Sequence, residues 1–408
     1  MSLNLAGSLL SGLVLFSSMQ NTRSEAAKIP LHRRISSSNV TGSTNYDGGF
    51  WFTNITIGSS APANLLVDTG SADLVLNPGL YKASSQSKNL NSTFAVTYGT
   101  TTGGGAGSTS QTIIANLYND TTTFHSLTVP SQTIGTTGAN HTTNSTYPGG
   151  GILGLGNPLF SGSGATPFFH NLCAQDLIPE CRFGLALQTD ATGSLTFGEL
   201  DSDLVPGGDA ALTKVPLVME WFVYGDVVLD GEYVFRDALL EFDSGTTGIV
   251  GPISAISALF AASGVQSVLQ TSPSGDTLVG YYPCSSPPAI GFSLPSQGNL
   301  SSISSTSKTF YIENSAPAAS SSVDNCTSVF SGYDFETQGL WVLGERFFRD
   351  HDLGEGVLGV VGLEKGRGGD NGTATGVVSS GAGVGRYFKG LVGMSLLTAV
   401  VVGAGLVL

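Results

Sequence analysis

Short runs of apolar and β-branched residues, bounded by Gly, Ser, Thr, Asn or Pro, recur along residues 45–365. Runs of this kind are typical of β-strands. They predict strands at Phe50–Gly58, Asn64–Asp68, Ala72–Leu76, Phe94–Tyr98, Phe183–Leu187, Val215–Val218, Phe222–Leu229 and Leu239–Phe242. Helical spacing is confined to two stretches, Thr166–Leu177 and Ile253–Ala262. The sequence therefore predicts an all-β fold with a few short helices.

The length and charge of the chain narrow its class further. A single hydrophobic core rarely grows past about 250–300 residues, so two lobes are expected; the chain has 408 residues. Its 56 glycines favour a turn-rich β protein. The net charge of −14 argues against a nucleic-acid partner, which requires clustered Lys and Arg. The acidic balance fits a protein that stays soluble in acidic surroundings.

Both ends of the chain carry targeting features. Residues 1–20 are predicted to be a signal peptide, because the apolar run Leu5–Ser18 has the length of a signal-peptide core. A Gly-rich spacer, residues 366–390, precedes an apolar tail, residues 391–408. This tail matches a GPI-attachment signal, and a terminal membrane helix is the alternative. With nine Asn-x-Ser/Thr sequons, these features predict a secreted glycoprotein anchored at the cell surface or cell wall.

Four cysteines, Cys173, Cys181, Cys284 and Cys326, allow three disulfide pairings. In an oxidising compartment an even number suggests two bridges. We predict Cys173–Cys181 and Cys284–Cys326, because neighbour pairing keeps each bridge within one half of the chain. The sequence has no Cys-x-x-Cys, and its five histidines are scattered, so neither a metal nor another cofactor is expected.

A motif near the first strands returns in the second half of the chain. Leu65–Ser71 places Asp68 in a turn of Thr, Gly and Ser, and Leu239–Thr247 places Asp243 in a similar turn 175 residues later. Each turn is followed by an apolar segment that contains glycine, Gly151–Gly156 or Leu340–Gly344. A single Asp-Thr-Gly is an ordinary turn. Two copies in the same order indicate two related lobes, each with one aspartate.

At these residues the chain resembles the pepsin-like aspartic proteases, in particular secreted or GPI-anchored fungal members. The resemblance rests on Val67–Ser71, the flap-like Val96–Thr100, Gly151–Leu155, Phe242–Thr247 and Trp341–Gly344. It implies a bilobal pepsin-like acid protease fold, with the active-site cleft between two β-rich lobes.

The resemblance also divides the chain. It implies an N-terminal lobe at residues 45–205 and a C-terminal lobe at residues 206–365. Residues 21–44 form a short propeptide-like segment, in which Arg33-Arg34 is either a processing site or a solvated charge pair. A monomer is expected, because one chain carries both Asp turns.

By the same resemblance, Asp68 and Asp243 are the catalytic residues. Two carboxyl groups held close together cannot both ionise cheaply, so they hold one proton between them. The ionised carboxylate then deprotonates a water, and the protonated one donates toward the peptide carbonyl oxygen. Water is the nucleophile, so this chemistry requires no cofactor.

Residues next to the aspartates have supporting roles by resemblance: Thr69, Gly70, Ser71, Ser244, Gly245 and Thr246. The hydroxyl groups of Ser71 and Thr246 would hydrogen-bond the carboxylates. Those of Thr69 and Ser244 would tie the two turns together across the lobe interface. The two glycines would let the substrate backbone approach closely.

A flexible hairpin that carries Tyr98, Gly99 and Thr100 would close over the bound peptide and exclude water. We therefore expect an endopeptidase that acts at acidic pH on extended, hydrophobic segments of peptide or protein substrates. The Gly-rich flap, Thr100–Gly107, is unusual and supports one alternative, a catalytically silent binding or inhibitor protein. A wall or adhesion protein would explain the sequons and the tail, but not the paired Asp turns.

Overall fold

The computed structural model describes residues 27–34, 50–98, 111–138, 147, 149–187, 192–199, 215, 217–272, 275–295, 307–312, 325–349 and 358–362. The strands are β1 (Ala27–Arg34), β2 (Phe50–Ile57), β3 (Ala63–Asp68), β4 (Leu74–Leu76), β5 (Lys88–Tyr98), β6 (Gln111–Phe124), β7 (Leu127–Thr137), β8 (Gly151–Gly154), β9 (Arg182–Leu187), β10 (Thr192–Phe197), β11 (Phe222–Leu229), β12 (Glu232–Phe242), β13 (Ile249–Gly251), β14 (Gln266–Ser272), β15 (Gly275–Pro283), β16 (Ile290–Pro295), β17 (Ser307–Tyr311), β18 (Asn325–Gly332), β19 (Leu340–Leu343) and β20 (Leu358–Gly362). The helices are α1 (Phe168–Ala174), α2 (Ile253–Ser263) and α3 (Glu345–Arg349), with a 3-10 turn at Pro158–Phe160.

The described strands form two sheets, which supports the expected two-lobed β fold. The first sheet has the order β20-β9-β10-β1-β2-β3-β8-β4-β7-β6-β5, and the second has the order β14-β15-β18-β13-β19-β12-β11-β16-β17. In the first sheet, β8 lies between the parallel β3 and the antiparallel β4. In the second, β19 lies in the same way between β12 and β13. The repeat in the sequence is therefore a repeat in three dimensions.

The two ends of the described chain both join the first sheet. Ala27–Arg34, which the sequence assigns to the propeptide-like segment 21–44, pairs with β10 and β2. Leu358–Gly362, which the sequence assigns to the C-terminal lobe, pairs with β9. Both segments therefore belong to the first sheet, although the sequence assigns neither of them to the N-terminal lobe. Each forms its backbone hydrogen bonds with a strand of that sheet.

One predicted strand is wrong. In Val215–Val218, the described residues Val215, Leu217 and Val218 lie outside the strands. The chain reverses there instead, since the amide of Val218 donates to the carbonyl of Phe222 over 2.8 Å and the amide of Phe222 donates to that of Met219 over 2.9 Å. The apolar side chains that suggested a strand pack against the core of the second sheet or the apolar cluster beside it.

Each sheet covers its own apolar core. Helix α1 supplies Phe168 and Phe169 to the first core, where the rings of Phe169 and Phe183 lie 5.0 Å apart, edge to face. Helix α2 supplies Ile256, Leu259 and Phe260 to the second. These cores fix the positions of the strands that end at the Asp turns.

Each half of the chain contains one disulfide. Cys173–Cys181 joins α1 to the residue before β9, with a Cα–Cα distance of 5.1 Å. Cys284–Cys326 joins the residue after β15 to β18, with a Cα–Cα distance of 5.0 Å. The structure thus pairs each cysteine with its neighbour along the sequence.

Within the described part of the chain, no helix has both the length and the apolar character needed to cross a membrane. The predicted signal peptide, the spacer and the apolar tail lie outside the described residues.

We expect the longer disulfide loop to contribute more to stability. Cross-linking reduces the entropy of the unfolded chain in proportion to the logarithm of loop length. With sequence separations of 42 and 8, replacing Cys284 and Cys326 by alanine should lower the free energy of unfolding by about 4 kcal/mol, and replacing Cys173 and Cys181 by about 2.5 kcal/mol. Chemical denaturation of the two double variants measures the difference. A larger loss from the short loop contradicts the prediction.

Candidate active site

Both aspartates lie where a strand of the sheet ends. β3 ends at Asp68, beside Gly154 of the parallel strand β8. Asp243 follows β12 at the equivalent place, and its amide donates to the carbonyl of Leu343 over 3.0 Å. The residues are only 3% and 8% exposed, respectively. A Cβ atom at Gly245 would touch Oδ1 of both aspartates, so the fold brings the two predicted residues side by side.

The two carboxyl groups have matching hydrogen-bond partners. Oδ1 of Asp68 accepts from the amide of Gly70 over 2.9 Å, and Oδ2 accepts from the hydroxyl of Ser71 over 2.6 Å. Oδ1 of Asp243 accepts from the amide of Gly245 over 2.8 Å, and Oδ2 from the hydroxyl of Thr246 over 2.6 Å. Each carboxyl group is therefore oriented by its own turn.

Thr69 and Ser244 cross-link the two turns. The Thr69 hydroxyl donates to the carbonyl of Phe242 over 2.8 Å and accepts from the amide of Ser244 over 2.9 Å. The Ser244 hydroxyl donates to the carbonyl of Val67 over 2.8 Å and accepts from the amide of Thr69 over 3.1 Å. Both hydroxyl groups thus bridge the lobes reciprocally, and serine performs in the second turn what threonine performs in the first.

Glycine follows in each turn because the opposite carboxyl group lies against it. A Cβ atom at Gly70 would overlap the carboxyl group of Asp243, and one at Gly245 would overlap that of Asp68. Any side chain at these positions would push the carboxyl groups apart. The glycines are thus required by the pairing of the aspartates themselves.

Burial raises the pKa of Asp68 well above its usual range. The negative charge of Asp243, to which the protonated Asp68 carboxyl group can donate, raises it further, while the hydrogen bonds that Asp68 accepts from Ser71 and Gly70 act in the opposite direction. The ionised form is disfavoured because two adjacent carboxylates repel each other in a site with little water. Such a pair retains one proton over a broader pH range than an isolated carboxyl group does.

Two tryptophans brace the aspartate turns from the opposite half of the chain. Nε1 of Trp51 donates to Oε1 of Glu345 over 3.1 Å, and the amide of Glu345 donates to the carbonyl of Thr246 over 2.6 Å. Nε1 of Trp221 donates to the carbonyl of Leu155 over 2.8 Å, and the amide of Leu155 donates to the carbonyl of Asp68 over 2.7 Å. These residues were missed from the sequence, although the Trp-Phe dipeptide that begins at position 51 and again at position 221 is a further copy of the repeat.

Strand β5, which leads into the predicted flap, lies at one edge of the first sheet. Strand β5 ends at Tyr98, which pairs with Gln111 at the start of β6, so residues 99–110 connect the two strands. Gly99, Thr100 and the side chain of Tyr98 lie outside the described residues. Among the residues that are described, no group of three or more His, Cys, Asp or Glu side chains could hold a metal ion.

The profile of the family described as Eukaryotic aspartyl protease matches residues 50–352, which include both aspartate turns. The chain belongs to this family. The protease is an aspartic-type endopeptidase of the pepsin-like class, and its substrates are peptides or proteins.

Known relatives agree with this assignment. Pepsin A of Bos taurus is 28% identical over 341 residues, which cover 75% of the protease and 82% of the relative. Pepsin A of Sus scrofa is 31% identical over 215 residues, half of each chain. The crystal structure of aspartic proteinase from Irpex lacteus covers 79% of the protease and 92% of that chain, with a TM-score of 0.55 and 20% identity. This structural likeness supports the bilobal fold.

Loss of the Ser244 hydroxyl should destabilise the protease. Ser244→Ala leaves the carbonyl of Val67 and the amide of Thr69 without their partner in a buried site, which costs about 1–3 kcal/mol. Ser244→Thr keeps the hydroxyl group and copies the first turn, so it serves as the matched control. Chemical denaturation compares the variants with the parent chain. Equal stability of the two variants contradicts the bridging role.

The stability of the protease should fall as pH rises from acid to neutral. A carboxyl group whose pKa is higher in the folded state binds its proton more tightly when folded, so its stabilising contribution is lost as pH rises through that raised pKa. Asp243→Asn removes the charge that helps to raise the pKa of Asp68. Between about pH 4 and about pH 7, the melting temperature of this variant should therefore fall less than that of the parent. Asp230→Asn, on an exposed turn, is the acid-to-amide control, and an equal fall in both variants contradicts the prediction.

Proposed function

We propose that Asp68 and Asp243 form the catalytic dyad of this protease, and that they hydrolyse peptide bonds at acidic pH by activating a water. The observation that carries the proposal is the close approach of the two carboxyl groups around Gly70 and Gly245, each group held by a glycine amide and a hydroxyl group of its own turn. This matched environment leaves the inner sides of both carboxyl groups available to one reacting centre.

One proton on the dyad supplies both functions of the reaction. The ionised carboxylate removes a proton from the attacking water, and the protonated one donates to the carbonyl oxygen as the tetrahedral intermediate forms. The raised pKa of Asp68 supports this singly protonated state over the acid range. Activity should decline as pH rises through that pKa, because the acid is then lost.

The substrate is proposed to bind as an extended, mainly hydrophobic segment across the ends of β3 and β12. Apolar side chains surround the strands next to the dyad, including Leu66 and Ile152 in the first lobe and Phe222 and Val342 in the second. Tyr98, Gly99 and Thr100 are proposed to form the flap over that segment. The end of β5 at Tyr98 supports a hairpin tip in this region.

We propose that the protease acts outside the cell as a monomer, attached to the cell surface or wall through its C-terminal tail. Two disulfides suit an oxidising compartment. The apolar run at residues 391–408 supports either GPI attachment or a membrane helix. Occupied sequons would make it a glycoprotein.

Each aspartate should be essential. Asp68→Asn and Asp243→Asn preserve shape but remove the carboxyl group, so each should reduce casein hydrolysis at acidic pH by at least about a thousandfold. The full chain is assayed across pH, with and without a statine-type transition-state mimic, which should bind the intact dyad far more tightly than substrate does. Asp230→Asn is the control for the substitution chemistry and should keep parental activity.

The outcomes separate the proposals. Acid hydrolysis that survives both active-site substitutions overturns the dyad mechanism. A folded parent chain that binds the mimic but cleaves nothing at any pH supports the alternative, a catalytically silent binding or inhibitor protein.

A further inference from the structure

The two lobes differ in charge at one pair of equivalent positions beside the dyad. Leu66 and Glu241 each stand two residues before an aspartate, on the strand that leads to it. Leu66 pairs with Phe52 on one side and Ile152 on the other. Glu241 pairs with Phe222 and Val342 in the same arrangement. The second lobe therefore has a carboxyl group where the first has an apolar side chain.

The geometry of β12 places Glu241 on the same face as Asp243. Side chains at positions i and i+2 of a strand lie on one side, about 7 Å apart along it. The amide of Asp243 continues the pairing with β19, so this alternation reaches the aspartate. Glu241 is half-buried, whereas Leu66 is fully buried. Glu241 is thus less enclosed than Leu66, on the face of the sheet where the dyad lies.

No positive charge compensates Glu241 among the described residues. Within them it makes no ion pair and no side-chain hydrogen bond. From β11 and β19 it faces the apolar Phe222 and Val342. The titratable groups that act on it are Asp243 and Asp68, both acidic. A carboxylate in this position is costly until a cation approaches it.

We propose that Glu241 forms an acidic subsite beside the dyad, which selects a lysine or arginine side chain adjacent to the scissile peptide bond on the side of the C-terminal lobe. The inference rests on the proposed dyad, because the dyad defines where the bond is cut. The aliphatic stem of lysine or arginine packs on Phe222 and Val342, and its charged end reaches the carboxylate. A leucine in the same place buries the carboxylate without a partner, so the subsite discriminates against it.

The preference depends on pH. Burial, followed by the charges of Asp243 and Asp68, raises the pKa of Glu241 well above its usual range. In the more acidic part of the working range Glu241 is therefore neutral, and the subsite discriminates weakly. The preference for a basic residue increases as pH rises and Glu241 ionises. A bound lysine promotes the same ionisation, because it stabilises the carboxylate.

The test uses pairs of peptides that differ only by lysine or leucine next to the cleaved bond, with the exchange made on either side of that bond. The ratio of kcat/KM for the lysine peptide to that for the leucine peptide is measured at two acidic pH values. In the parent chain the ratio should favour lysine on one side of the bond and increase with pH. Glu241→Gln and Glu241→Leu should each lower it about tenfold and remove its dependence on pH. Glu232→Gln, an exposed position on the same strand, is the matched control and should leave the ratio unchanged.

Failure of this inference differs from failure of the dyad. A ratio that is the same in the parent and both Glu241 variants, or that favours lysine on neither side in the parent, overturns the subsite, while inactivity of Asp68→Asn and Asp243→Asn leaves the dyad standing. If a Glu241 variant folds but does not cleave, the inhibition constants of statine-type peptides with lysine or leucine at that position give the same ratio. An unchanged ratio there also overturns the proposal.

Discussion

The reciprocal hydrogen bonds of Thr69 and Ser244 are the constraint on which the active site depends. Each hydroxyl group donates to a carbonyl of the other lobe and accepts from an amide of the other lobe. Three of the four bonds are buried and the fourth is partly buried, and an unpaired polar group in such surroundings is expensive. A shift of one lobe along the other would break several of them together. The lobes therefore meet in one register, in which the two carboxyl groups face each other.

This arrangement opposes a repulsion that the function requires. Two buried carboxyl groups side by side destabilise the folded chain whenever both are ionised. The surrounding structure offsets that cost through the braces that Trp51 and Trp221 provide to the opposite turns. Active sites commonly retain such local strain, because a relaxed site would not hold its groups ready to react.

The sequence was informative where one lobe repeats the other. The aspartate turns, their apolar-glycine partners and the β character of the chain all follow from a pattern that occurs twice, and the structure pairs β3 with β8 and β12 with β19 accordingly. The sequence did not predict the pairing of β1 and β20 with strands far away in the chain, because a local sequence pattern does not show which distant strand a segment pairs with. The strand predicted at Val215–Val218 was wrong for a related reason. In a short apolar run, buried residues outside a strand and residues within a strand show the same sequence pattern.

Repetition explains the chemistry, and departures from repetition explain selectivity. A dyad requires two equivalent aspartates, so the residues that orient them are nearly interchangeable between lobes, as Thr69 and Ser244 are. Discrimination between substrates requires the two sides of the cleft to differ. At the position where the first lobe has Leu66, the second lobe has Glu241. This residue adds a third carboxyl group beside Asp68 and Asp243 and increases the repulsion between them. Such a charge is tolerable if the molecule that binds beside it is a cation. Of the two equivalent residues, Glu241 is therefore the one that indicates which substrate is selected.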